Sequence, residues 1–123
     1  MSAEAFSAPP IETGLALQQA GRLAEAAAVY RQILAVQPGH ADALHLLGLI
    51  AYHEGDYTAS TELIMAALSH RVSEIYYGNL GNALAARGMP AAAIESFSHA
   101  IALRSDYVPA HNNLGNLLRD QGK

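Results

Sequence analysis

Glu74–Tyr107 reads EIYYGNLGNALAARGMPAAAIESFSHAIALRSDY, and this stretch decides the fold. Its first part keeps apolar residues at helical spacing and carries Gly81 within that pattern. Gly88 then stops the helix, and Pro90 suits the first position of a new one, where its missing N–H costs nothing. Beyond it, Ile94, Phe97 and Ile101 fall with the small Ala93 and Ala100 on one face. The stretch is therefore a first helix (A), a tight turn and a second helix (B). Outward from it, the same punctuation recurs. Gly14, Gly48, Gly81 and Gly115 stand 34, 33 and 34 residues apart, and Gly21, Gly55, Gly88 and Gly122 follow each of them by seven. A fixed period of this length marks a solenoid of repeated supersecondary units.

Each glycine series has a physical reason. QQAGRL, YHEGDY, AARGMP and RDQGK read as helical runs ended by a glycine in the left-handed conformation. The other series lies inside the A helices, where Gly costs about 1 kcal/mol against Ala. A weakening repeated four times at one place implies close approach of a neighbouring helix. Helix B is expected at 25–36, 57–68 and 90–103, with Pro38 closing the first of these. The second unit is one residue short, so an unusual link is expected around Ser69–Ser73.

The pattern resembles the tetratricopeptide repeat, whose signature runs W-x₂-L-G-x₂-Y, then A-x₃-F, then P. The L-G pair is Leu47-Gly48, Leu80-Gly81 and Leu114-Gly115, with Thr13-Gly14 as a degenerate first copy. The aromatic slot before it holds Leu44, Tyr77 and His111, and in the first copy Pro10. The small-then-large pair of helix B is Ala26 with Tyr30, Ser60 with Ile64, and Ala93 with Phe97. The resemblance implies an all-α, right-handed superhelical solenoid of antiparallel helix-turn-helix repeats, about seven helices in all. A flexible segment is expected over residues 1–9, and a repeat domain over 10–123. Its repeats run at about 7–40, 41–73 and 74–107, with a half repeat at 108–123. That half repeat leaves Leu114, Leu117 and Leu118 without a helix B, which is expected in a fragment or N-terminal arm of a longer protein.

Composition narrows the function. The net charge is −4 with no basic run, so nucleic acid is not an expected partner. With no cysteine, disulfides and thiolate metal sites are excluded. No apolar run is long enough for a membrane span, and MSAEAFSAPP lacks the basic and apolar regions of a signal peptide. A cytoplasmic address is the default expectation. Arg outnumbers Lys and Ala is abundant, as in GC-rich bacterial genes. None of the six histidines forms H-x-x-x-H or H-E-x-x-H, and no nucleophile-elbow, Walker or dinucleotide-binding motif is present. No metal, no cofactor and no catalytic residue is expected; the chain reads as a scaffold and not as an enzyme.

The resemblance places the A helices on the concave surface of the superhelix. All five asparagines, Asn79, Asn82, Asn112, Asn113 and Asn116, lie on the last two A helices. Asn79 and Asn113 occupy equivalent positions, as do Asn82 and Asn116. A carboxamide can meet both the N–H and the C=O of one peptide unit, so a ladder of them could hold an extended chain. The alternative is that they are solvated or hydrogen-bond between neighbouring A helices. With His45, Leu49, Tyr52 and Arg119, these asparagines form the candidate peptide-binding set. Among the tyrosines, Tyr30 and Tyr77 are expected to pack between helices, whereas Tyr52 is the better groove candidate.

Asn-Leu-Gly-Asn at 79–82 and 113–116 resembles the arrays that precede the catalytic region of O-linked N-acetylglucosamine transferases, where asparagines hold substrate backbone. Here Glu12 and Leu46 stand at the ladder position of the first two repeats. The carboxylate clamp of chaperone-binding members needs Lys and Arg, but its positions hold Ile11, Leu15, Ile75 and Asn79. The expected function is recognition of a protein or peptide partner through the concave groove. Two alternatives are the substrate-recognising array of such a transferase, and self-association end to end through the half repeat.

Overall fold

The computed structural model describes residues 7–122. Most of the segment expected to be flexible, and Lys123, lie outside the described residues. Seven helices follow one another: α1 Ile11–Gln19, α2 Leu23–Val36, α3 Ala41–His53, α4 Tyr57–His70, α5 Glu74–Ala86, α6 Pro90–Leu103 and α7 Val108–Gln121. No strand occurs among the described residues. The odd-numbered helices are the A helices and the even-numbered ones the B helices. Helix B begins two residues earlier than expected in α2 and ends two later in α4.

Three A-to-B turns are built alike. Gly21, Gly55 and Gly88 have φ of 79°, 83° and 77°. The following N–H then reaches back to the helix, from Arg22 to the Leu17 carbonyl, Asp56 to Ala51 and Met89 to Leu84, at 2.9–3.0 Å. Only a residue without Cβ takes that φ cheaply, and the returning bond satisfies a carbonyl the helix end leaves open. Gly122 differs from expectation. Its φ is −77°, because its N–H still donates to the Leu118 and Arg119 carbonyls and so continues the helix.

The B-to-A links show the effect of the missing residue. Gln37–His40 and Arg104–Tyr107 each close a turn, His40 N–H to Gln37 and Tyr107 N–H to Arg104, both at 3.1 Å. Between α4 and α5 only Arg71, Val72 and Ser73 remain, and Arg71 and Ser73 are both extended. Ser73 Oγ then accepts from the N–H groups of Ile75 and Tyr76, capping α5 in place of the turn.

The interior glycines are seats for side chains from the next helix. A Cβ added at Gly14, Gly48 or Gly81 would come within 3.0 Å of Tyr30, Ile64 or Phe97 respectively. Those three side chains are buried, and burying a ring such as Phe97 contributes roughly 2–3 kcal/mol. At Gly115 an added Cβ would meet nothing within 4 Å. The close approach expected there is absent, since no described helix packs over that residue. Tyr30 and Ile50 belong to a front core, Ile64 and Phe97 to a back core, and Leu34 and Leu63 pack against both. Besides their own B helices, α3 touches α5 and α5 touches α7. α3, α5 and α7 thus adjoin one another along one side of the stack, which we call its inner face.

Candidate functional site

Two seams join the A helices on this face, and both are made by residues singled out for binding. At the α3–α5 seam, Asn79 Nδ2 donates to His45 Nε2 at 2.9 Å. The His45 ring lies against Tyr76, with centroids 4.5 Å apart. The Tyr76 hydroxyl donates to Asp42, which also receives Arg71 Nη1 at 3.3 Å. At the α5–α7 seam, Asn113 Nδ2 donates to Asn82 Oδ1 at 2.9 Å. Asn79, Asn82 and Asn113 therefore bond between neighbouring A helices, whereas Asn112 and Asn116 are exposed.

Burial sets the electrostatics of the first seam. His45 is only 6 % exposed. Burial lowers its pKa from 6.5 to about 4, against a smaller opposing pull from Asp42. It is a neutral imidazole, consistent with accepting from Asn79. Tyr76 is also buried; desolvation and the Asp42 carboxylate push its hydroxyl up to about 12. His45 was expected on the open groove, yet it and Tyr76 are both covered. Their helical positions point between α3 and α5 rather than outward. Tyr77 is half-buried and stacked on His99 of α6 at 5.0 Å.

The remaining candidates are accessible. Asn112, Asn116 and Arg119 are exposed, and Leu49, Tyr52, Asn82 and Asn113 are half-buried. Tyr52, Asn82, Asn113 and Asn116 come from three successive A helices to line one cleft of about 330 Å³, floored by Ala85, Phe97 and Leu117. A second cleft of about 500 Å³ lies toward the front, between α1 and His53 of α3, lined by Leu15, Gln18, Gln19 and Leu23. The sequence reading overlooked that one. The A-helix spacing that gave Leu49 and Tyr52 gives Leu15 and Gln18 in the first repeat, where Leu15 figured only as a position lacking a clamp cation and the signature is degenerate. The Asp42–Tyr76–Arg71 contacts were equally hidden, since they depend on the straightened link.

No group of three or more His, Asp or Glu side chains capable of holding a metal occurs among the described residues. No described helix is long and apolar enough to cross a membrane.

Comparison with known families gives a tetratricopeptide repeat model over residues 11–71 and a second such model over 74–122. A comparison with curated proteins gives no match. Among solved structures, the O-GlcNAc transferase of Thermobaculum terrenum matches with 31 % identity and a TM-score of 0.84, covering 94 % of this chain and 22 % of that one. YrrB, a tetratricopeptide repeat protein with an unusual peptide-binding site, matches with 22 % identity and a TM-score of 0.84 over 95 % of this chain and 61 % of its own. The first tetratricopeptide repeat domain of Spaghetti (RPAP3), bound to the HSP90 peptide SRMEEVD, matches with 16 % identity and a TM-score of 0.87 over 91 % and 90 %. The last two likenesses are of fold alone. The chain spans less than two thirds of the first two of these structures.

Proposed function

Because the chain belongs to the tetratricopeptide repeat family, we propose that its inner face is a groove that docks a segment of another polypeptide, making it an interaction scaffold rather than a catalyst. The observation that carries this reading is the cleft to which Tyr52, Asn82, Asn113 and Asn116 converge from three repeats. Tyr52 supplies an amphipathic aromatic wall of the kind that anchors interfaces. Asn116 supplies donors and an acceptor that no inter-helix bond occupies. Leu49, Asn112 and Arg119 flank the cleft as secondary contacts, whereas His45 and Asn79 act by holding α3 against α5. Selection of phage-displayed peptides on the full chain tests the proposal. Tyr52→Glu should abolish capture, and Met65→Glu on the outer surface should leave it intact. Equal capture by both variants would refute the groove.

A second reading is favoured by the 31 % identity to a transferase that extends far beyond the matched region. On it, this chain is the substrate-recognising array of a similar enzyme. A gene with no glycosyltransferase region downstream of Lys123 would end it. The unfilled seat at Gly115, beside the half-exposed Leu118, also supports contact with a further copy through α7. Sedimentation showing a monomer at all concentrations would remove that possibility.

A further inference from the structure

The two clefts lie on either side of an aromatic ridge on α3. Tyr52 and His53 meet edge to face with ring centroids 5.9 Å apart, and Tyr57 of α4 braces Tyr52 at 5.3 Å. The front cleft is walled by Leu15 and Leu23 and rimmed by Gln18 and Gln19. The back cleft is walled by Tyr52, Ala85 and Leu117 and rimmed by Asn82 and Asn116. No Asp, Glu, Lys or Arg lines the front cleft. Asp120 is the one charged residue lining the back cleft, and it already takes part in an interaction of its own. Arg119, the exposed cation of α7, lines neither. Asn79 and Asn113, which could have gripped any backbone, each give an N–H to a neighbouring A helix. Discrimination therefore falls to side-chain chemistry.

We propose that the groove selects an uncharged segment that seats one apolar side chain in each cleft, straddling the Tyr52–His53 ridge. The proposal rests on the groove reading given above. An apolar side chain gains by leaving water for walls of Leu, Ala and Tyr. A carboxylate moved there would lose its hydration and meet no Lys or Arg in return. The rim amides offer donors and acceptors to peptide groups passing between the clefts. Such a ligand is the opposite of an acidic C-terminal peptide.

The test begins with random dodecapeptides displayed on phage and selected on the full chain. The selected sequences should carry two separated apolar positions without enrichment of Asp or Glu. A synthetic, C-terminally amidated form should bind the intact protein. Leu15→Asp and Tyr52→Ala should each weaken it by about tenfold. Each loss should vanish when the matching apolar residue of the peptide is Ala, because the pair no longer couples. Gln19→Asp at the exposed front rim and Asn116→Asp at the back rim repeat the test should either first variant melt early. Acidic consensus sequences, dependence on a free C-terminal carboxylate, or losses indifferent to the peptide's apolar positions would overturn the inference while the groove stood. If no peptide is selected, the groove reading fails and this inference fails with it.

Discussion

The α3–α5 and α5–α7 seams occupy equivalent places in successive repeats yet differ in kind. The first is a network of Asp42, His45, Tyr76 and Asn79 with the two rings buried at its centre, tied to the short link by Arg71. The second is one amide pair, Asn82 with Asn113, at the wall of an accessible cleft. The same succession of A helices thus gives a joint closed over by the His45 and Tyr76 rings, and an amide pair that stays half-buried beside an open cleft. Residue type alone does not separate side chains that brace the helices from those left accessible on this face; the neighbouring helix does.

The largest expected effect separates the seams by pH. His45 has a folded pKa near 4 and an ordinary value of 6.5. Above pH 6.5 both folded and unfolded states hold it neutral, and stability is full. As pH falls from 6.5 toward 4 the unfolded chain takes up a proton that the folded chain refuses, so stability declines. The shift corresponds to on the order of 3 kcal/mol. Urea unfolding across that range should show the decline, and His45→Leu should flatten it. An unchanged slope in the variant would place the effect elsewhere.

The glycine seats sharpen the contrast next. Gly81→Ala forces a Cβ into the Phe97 ring and should destabilise by about 1–3 kcal/mol. Gly115→Ala meets open space and should stabilise by roughly 0.5–1 kcal/mol through helix propensity. Similar losses at both sites, read from denaturation midpoints, would mean that Gly115 is packed after all. At the α5–α7 seam, a double-mutant cycle of Asn82→Ala and Asn113→Ala should return a coupling of about 0.5–1.5 kcal/mol. A coupling near zero would show that the amide pair is not held in solution. The smallest effect is in the core. Ser60 is fully buried and its Oγ has no hydrogen-bond partner, where the other repeats carry Ala26 and Ala93. Ser60→Ala should be neutral or stabilising by up to about 1 kcal/mol, as thermal melting would show.

The fold was legible because it is written in repeated, local terms. A glycine that ends a helix and a glycine that seats a ring each leave the same trace at a fixed period, and the short link showed as a missing residue. The candidate site was legible only in part. Tyr52, Asn82, Asn113 and Asn116 were reachable from A-helix spacing, and the structure brings them together. His45 was misplaced because one helical position decides between the groove and the space beneath Tyr76. Spacing of about 100° per residue does not resolve that choice without the neighbouring helix. Gly122 departs from the other three stop glycines because its N–H stays on the Leu118 and Arg119 carbonyls at a helical φ of −77°. The front cleft escaped notice because it depends on Leu23, beyond the A-to-B turn, meeting His53 of the next repeat.

The central claim is that the inner face docks a polypeptide. Amide chemical-shift mapping of the full chain with a phage-selected peptide tests it most directly. The account predicts shifts concentrated at Leu15, Tyr52, His53, Ala85 and Asn116, with α2, α4 and α6 little changed on their outer faces. Shifts gathered instead around Met65, Ser98 and Leu103, with the inner face silent, would contradict it.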